Sequence, residues 1–250
     1  MASSVTPLPV NGDTTTANGT TTTNGSTPKL TFYTNHRCPW AHRANITLQA
    51  LSLPYEEVII DLDSPRPQWY LDINPRGLVP ALKVNNEILY ESAIVATFLA
   101  DSFPSPTFYP ASNESGGAMQ RARVAFFVDT FIGKVNSLSM AVLKAEKGEE
   151  QEKLGKEFVG VVEKEVEPLL EGAGPFLGGR SWGPFVLRYK VYAEHGLLPK
   201  SMQKGLEALP NYGKWSKAIC EHPAVLNGFD GPSIAETSKA RIEKMKAGTK

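Results

Sequence analysis

The sequence has few cysteines, no excess of either charge and no apolar run near the roughly 18 residues of a membrane span. Its two cysteines, among 250 residues, are too few for a disulfide framework and favour a reducing compartment. Lys and Arg number 26 against 26 Asp and Glu, so no overall field attracts nucleic acid or an anionic membrane. His195 and His222 lack partners at metal-ligand spacing. We therefore expect a cytoplasmic protein without a metal site and without nucleic-acid or membrane partners.

Residues 1–28 contain scarcely any large apolar side chain and consist mostly of Thr, Asn, Gly, Ser and Pro. Such a segment cannot bury enough surface to offset the entropy of ordering it. It also has no Lys or Arg before Lys29, whereas a transit peptide would be rich in Arg. The sequence predicts a disordered tail here and no signal peptide.

The remaining chain changes character near its middle. Residues 29–105 predict a strand, a helix, a second strand, a β-hairpin and a helix, an order typical of a parallel β-α-β unit extended by a hairpin. Residues 106–117 predict a linker, residues 118–230 an all-helical domain, and residues 231–250 a charged tail or loosely docked helix. The predicted fold class is α/β followed by all-α.

The first predicted helix opens with Cys38-Pro39-Trp40-Ala41. Proline suits the first helical position, which places Cys38 at the N-cap beside unpaired amides and the positive end of the helix dipole. That environment favours a reactive thiolate, although a buried, inert cysteine before a proline is the alternative. Residue 41 is Ala, so a resolving thiol must come from solution, and glutathione is the obvious candidate. Cys220 lies at the end of a helical pattern and is expected to be structural.

These motifs, together with N-P-R-G-L-V-P at residues 74–80 and L-Y-E-S-A-I at residues 89–94, resemble those of cytosolic glutathione transferases, and more narrowly the omega-like, cysteine-dependent class. The resemblance covers roughly residues 29–230. It implies a thioredoxin-like domain followed by a helical bundle, glutathione as cosubstrate, a homodimer and Cys38 as the catalytic residue. It further implies that glutathione contacts Trp40, Arg66, Leu78, Val79, Glu91 and Ser92.

Within that set the resemblance implies separate roles. The Val79–Pro80 peptide is expected to be cis, which leaves the Val79 backbone free to pair with the cysteinyl part of glutathione. Ser92 would bind the γ-glutamyl carboxylate and Glu91 its amino group, while Arg66 would lie near the glycine carboxylate. Simple helix capping by Ser92 and a solvated loop position for Arg66 are the alternatives.

The sequence departs from the family near residues 180–184. Between Gly178-Gly179 and Pro184, about seven residues, on the order of two helical turns, are missing relative to the family pattern. We expect the core helix of the second domain to lose its usual start.

Three functions fit the sequence. The first is glutathione-dependent thiol transfer or reduction through Cys38, acting on a small electrophilic or disulfide substrate, as in deglutathionylation or dehydroascorbate reduction. The second is conjugation or deconjugation of an aromatic small molecule in detoxification or secondary metabolism, with Tyr33 and Thr34 as possible hydroxyl donors. The third is a non-catalytic scaffold. The acceptor pocket is predicted to be lined by Trp40, Phe127, Phe131, Tyr189 and Tyr192.

Overall fold

The structure is a computed structural model that describes residues 28–103, 105, 110–174, 177 and 179–247. The predicted tail, apart from Pro28, and residues 106–109 of the predicted linker lie outside the described residues. For residues 179–181 only the backbone is described.

A four-stranded mixed sheet forms the first part of the chain. The strand order is β2-β1-β3-β4, with β1 parallel to β2 and antiparallel to β3, which is in turn antiparallel to β4. Asn85 begins the tight hairpin turn at φ 55°, a conformation that Asn tolerates better than most residues. The strands are β1 (Leu30–Thr34), β2 (Glu56–Ile59), β3 (Ala81–Val84) and β4 (Glu87–Tyr90).

Three helices cover the two faces of this sheet. They are α1 (Pro39–Ala50), α2 (Gln68–Ile73) and α3 (Ser92–Ser102). Successive residues of β1 point to opposite faces, so Phe32 packs with α1 and α3 whereas Tyr33 packs beside Tyr70 of α2. The thioredoxin-like arrangement predicted from the sequence is therefore present.

The second part of the chain is helical. Between α4 and α5 the helix continues as a π-helical stretch, Phe131–Asn136, and a short 3-10 turn, Glu167–Leu170, follows α6. The last predicted segment is a helix whose Ile234 and Ile242 are buried. The helices are α4 (Gly117–Thr130), α5 (Ser137–Lys144), α6 (Glu149–Glu165), α7 (Gly179–Glu194), α8 (Lys200–Ala208), α9 (Pro210–Cys220), α10 (Pro223–Leu226) and α11 (Gly231–Ala247).

The core helix α7 begins at Gly179, five residues before Pro184, so it has a first turn despite the short segment that precedes that proline. Trp182 in this turn is fully buried, and its ring stacks on Phe131 with the centroids 4.2 Å apart. A large aromatic side chain therefore anchors the start of the helix to the core.

Helix α1 is shared by the two parts of the molecule. Ala44 and Leu48 belong to the core under the sheet, whereas Ile46, on the same helix, is fully buried within the helical core. Since one helix supplies side chains to both cores, the thiol site at its start is built against both halves of the chain.

The continuous helical stretch Gly117–Lys144 is long and apolar enough, by length and composition, to cross a membrane. Arg121, Arg123, Asp129 and Lys134 interrupt this stretch, so it is not an unbroken apolar run of the kind that the sequence was expected to lack. Phe127, Phe131, Val135 and Val142 of this stretch are buried in the helical core. Core helices of soluble proteins meet the same test, and one face of this stretch packs in the helical core.

Candidate active site

The turn between β1 and α1 holds Cys38. Its backbone is extended (φ −81°, ψ 119°), and Pro39 occupies the first turn of the helix, as predicted from the Cys-Pro sequence. Asn35 organises this turn: its Oδ1 accepts from the Arg37 amide at 3.0 Å, its Nδ2 donates to Ile60 O at 2.9 Å, and its carbonyl accepts from the Cys38 amide. Sequence reasoning missed Asn35, whose position between a strand and a helix start was the available signal.

The Cys38 thiol faces the loop that precedes β3. Its Sγ lies 3.8 Å from Val79 O, and the Val79–Pro80 peptide is cis, as expected from the resemblance. The sulfur makes no capping hydrogen bond to the helix. The site is thus a half-buried thiol at a helix N-terminus that touches a cis-proline loop.

Two buried side chains hold that loop. Tyr70 Oη and Asn74 Nδ2 donate to Leu78 O at 2.6 and 2.7 Å, while the Leu78 side chain is 60% exposed. Burial raises the pKa of Tyr70 to about 12, so its hydroxyl remains a donor at neutral pH. With the Leu78 carbonyl engaged in this way, the backbone of Val79 is presented to the thiol. Sequence reasoning did not single out Tyr70 or Asn74, although Asn74 opens the N-P-R-G-L-V-P motif.

Arg66 holds the loop that precedes α2. Four of its five guanidinium hydrogens are directed at backbone carbonyls, which leaves one N–H for a ligand. These contacts differ from both expectations, since the guanidinium organises the loop and is neither free for a carboxylate nor merely solvated. The acceptors are the carbonyls of Gly77, Asp61, Ser64 and Leu62.

The start of α3 carries the other predicted binding residues. The helix begins at Ser92, so Glu91, not Ser92, is the N-cap residue. Glu91 has φ 64°, a value that is uncommon for a residue with a side chain, and its Oε1 lies 2.5 Å from Arg76 Nη1. Ser92 is buried, with 6% exposure. The Arg76–Glu91 ion pair was not foreseen from the sequence.

Trp40 faces the helical domain. Its ring centroid lies 4.9 Å from that of Phe185 and 6.4 Å from that of Trp182. The predicted acceptor pocket is wrong in its other members, which are at most 9% exposed and lie in the helical core instead of lining a cleft. These are Phe127, Phe131, Tyr189 and Tyr192.

Charged and titratable groups surround the turn. His36 pairs with Glu57 at 2.9 Å, and Arg37 pairs with Asp63.

Cys220 is partly buried and packs against the helical core, and burial raises the pKa of its thiol to about 11. A buried thiol with a raised pKa is poorly reactive, which supports a structural role for Cys220. Among the described residues no group of three or more His, Cys, Asp or Glu could hold a metal ion.

His42 lies behind the turn and is 5% exposed. Burial, and secondarily the charge of Arg188, lowers its pKa to about 3. Its Nε2 lies 2.8 Å from Val225 O and its Nδ1 3.3 Å from Arg188 Nη1. Since a carbonyl only accepts and a guanidinium only donates, the neutral ring carries its proton on Nε2.

Known proteins resemble this chain in sequence and fold. A protein-family model described as "Glutathione S-transferase, N-terminal domain" matches residues 37–102. A probable glutathione transferase omega-2 of Caenorhabditis elegans is 27% identical over 213 residues, which are 84% of this chain and 74% of that protein. The crystal structure of glutathione transferase Omega 2C from Trametes versicolor superposes with a TM-score of 0.73 at 26% identity, covering 86% of this chain and 99% of that one. Residues 37–102 thus match the N-terminal domain of glutathione transferases, and most of the chain is similar to glutathione transferases in sequence and fold.

Within the glutathione transferases the likeness is to the omega class. A pyrimidodiazepine synthase of Drosophila melanogaster is also similar, at 35% identity over 85 residues, but the alignment spans 32% of this chain and about a third (35%) of that protein's length. The fold predicted from the sequence, a thioredoxin-like domain followed by a helical domain, is confirmed.

Proposed function

We propose that this protein is a glutathione transferase that catalyses glutathione-dependent thiol transfer, with Cys38 as the nucleophile. The observation that carries the proposal is the position of the Cys38 sulfur, at the N-terminus of α1 and 3.8 Å from Val79 O of the cis-proline loop. Helix N-termini stabilise thiolates, and a thiolate is the species that attacks a disulfide.

The reaction has two exchange steps. The Cys38 thiolate attacks the glutathione sulfur of a mixed disulfide, forms a disulfide with glutathione and releases the substrate thiolate. A second glutathione thiolate then attacks the glutathione sulfur bound to Cys38, so glutathione disulfide leaves and the Cys38 thiolate is regenerated. Ala41 stands where a dithiol enzyme has its second cysteine, which is consistent with resolution by free glutathione.

Glutathione would bind along the surface between Cys38 and α3. We propose that the Val79 backbone pairs with its cysteinyl unit, and that Ser92 and the amides at the start of α3 bind its γ-glutamyl carboxylate. Glu91 would bind the amino group, sharing its carboxylate with Arg76. Leu78 and Trp40 would supply apolar contacts, and Arg66 would act mainly by shaping the loop, with one N–H left for the glycine carboxylate.

The substitution Cys38→Ser tests the proposal. We expect thiol-transferase activity with a mixed-disulfide substrate and glutathione to fall at least about 100-fold, because a serine hydroxyl is not ionised at neutral pH. Cys220→Ser is the matched control and should retain activity. Retained thiol transfer in Cys38→Ser would refute the assignment. The conjugation alternative would be favoured if Cys38→Ser kept or increased its conjugating activity. A scaffold would be favoured if the unmodified protein bound glutathione-agarose but showed no turnover.

We further propose a cytoplasmic homodimer. Support for self-association comes from apolar side chains left uncovered along the stretch that begins with α4: Met119 and Phe126 are each 60% exposed, and Ile132 is 41% exposed. Covering such side chains with a second copy would remove apolar surface from water. Support for the compartment comes from the two cysteines, both of which are free thiols.

A further inference from the structure

Arg188 of α7 is a buried cation that the proposed reaction leaves without a role. It is 3% exposed, and burial lowers the pKa of its guanidinium to about 10. A buried charge is costly unless it is paired, yet no carboxylate lies within ion-pair distance of this guanidinium among the described residues. Its partners are backbone carbonyls, the neutral His42 ring and the face of Phe229, whose centroid lies 5.4 Å from Arg188 Cζ.

The carbonyls that Arg188 binds belong in part to the thiol turn. Nη2 donates to Arg37 O at 3.1 Å and more weakly to His36 O at 3.5 Å, while Nη1 donates to Pro184 O at 2.8 Å in its own helix. His36 and Arg37 are the two residues immediately before Cys38. Arg188 therefore ties the turn of the thioredoxin-like part to the core helix of the helical part.

The other titratable groups around the turn are either paired with a group of opposite charge or uncharged at neutral pH. On the turn itself, His36 faces Glu57 and Arg37 faces Asp63, all at the surface. From α1, His42 contributes no charge at neutral pH, since its pKa is about 3. From α7, the Tyr192 hydroxyl lies 2.8 Å from the Ser238 hydroxyl of α11.

The Cys38 thiol, once ionised, would be an electrostatic partner for Arg188. Ionised Tyr192 and then Cys38 would oppose the effect of burial on the Arg188 pKa, so the guanidinium and the Cys38 thiolate attract each other. A fixed cation behind the turn would then act on the sulfur together with the helix N-terminus.

We propose that Arg188 is a positioning residue for Cys38: it fixes the turn through the carbonyls of His36 and Arg37 and supplies the buried positive charge that favours the thiolate. This inference rests on the proposed function, because it assigns the residue through which the helical domain controls the nucleophile. Sequence reasoning assigned Arg188 no role.

The matched control is Arg43, a second buried arginine at the same junction. Arg43 is 4% exposed, and its Cζ lies 5.6 Å from the centroid of Trp182. Burial lowers its pKa to about 10 as well, with no contribution from Cys38. Removing either arginine disturbs the junction, but only Arg188 binds the carbonyls of the turn.

The test measures the apparent pKa of Cys38 from the pH dependence of its alkylation by iodoacetamide, quantified on the Cys38 peptide by mass spectrometry. Arg188→Met should raise this pKa by about one unit, which lowers the alkylation rate about tenfold at pH values below the pKa. Arg188→Lys keeps the charge but loses the forked donors, so we expect a shift of less than half that size. Arg43→Met should leave the pKa within about 0.2 units of the unmodified protein.

An unchanged Cys38 pKa in Arg188→Met overturns the inference. If the Met variant does not fold, an unchanged pKa in a folded Arg188→Gln overturns it. An equal shift in Arg43→Met also overturns it, because general loosening of the junction would then explain the effect. If Cys38 of the unmodified protein titrates like an ordinary free thiol, the proposed function fails first. If the Cys38 pKa is low but does not change when residue 188 is replaced, only the role of Arg188 is refuted.

Discussion

His42 shows how one residue can tie protein stability to pH. Its folded pKa of about 3 lies below the ordinary value of 6.5, so between these two values the unfolded chain binds a proton that the folded chain does not. The free energy of unfolding should therefore fall as the pH drops below about 6.5, by up to about 1.4 kcal/mol per pH unit from this group. Urea unfolding at pH 7, 6 and 5 measures this slope.

His42→Gln is the informative variant because an amide can still donate to Val225 O and accept from Arg188. We expect it to have a flatter dependence of unfolding free energy on pH in this window than the unmodified protein. His195→Gln serves as the control, since His195 is exposed, and it should keep the slope. Equal slopes in all three proteins would contradict the assignment.

At the residue scale the sequence revealed local chemistry and missed long-range partners. Cys38 at an N-cap followed from its own proline neighbour, a signal contained in two adjacent residues. The partners of Arg188 and His42 were missed, because the carbonyls they bind belong to segments about 150 to 180 residues away in the chain. No spacing rule connects such positions, whereas the strand-turn-helix pattern around Cys38 is local.

At the scale of elements, α7 packs so closely that one of its positions requires glycine. A Cβ on Gly183 would lie 2.8 Å from Val225 Cγ1 and 3.2 Å from Ile219 Cγ2, and both of these side chains are fully buried. Gly183→Ala should therefore destabilise the protein by about 1–3 kcal/mol through overpacking, measured by urea unfolding at pH 7.

Gly160→Ala is the matched helical control. Nothing lies within 4 Å of a Cβ at Gly160 of α6, so the added methyl should stabilise the protein by up to ~1 kcal/mol through helix propensity. If both alanine variants changed the unfolding free energy by the same amount, close packing of α7 against α9 and α10 would be disproved.

The helices and strands were largely predictable from the sequence, but what each helix face packs against was not. Short strand-like runs bounded by turn residues predicted all four strands, and helical spacing predicted most helices. The same spacing placed Phe127 and Phe131 on one face of a helix but could not tell whether that face lines a cleft or a core. The structure places both in the core, which is why the predicted acceptor pocket was wrong.

For the whole molecule, the exposed apolar residues around α4 make the oligomeric state testable. Replacing Phe126 by Glu puts a charge where a second copy would pack, and burying an unpaired charge is strongly unfavourable. We expect Phe126→Glu to shift the protein from dimer to monomer in sedimentation velocity. Ile59→Glu, at an exposed position on the edge strand β2, should leave the dimer intact. A monomeric unmodified protein, or a dimer that tolerates Phe126→Glu, would contradict the proposed interface.

The contact between His42 and Val225 joins positions 183 residues apart in the chain, and it has a consequence for biosynthesis. A ribosome releases the Cys38 segment long before the residues that pack behind it, and chains fold from the N-terminus as they emerge. Cys38 therefore acquires its full surroundings only after α10 has been made. A nascent or truncated chain carries the same cysteine without the long-range contacts that surround it in the complete fold.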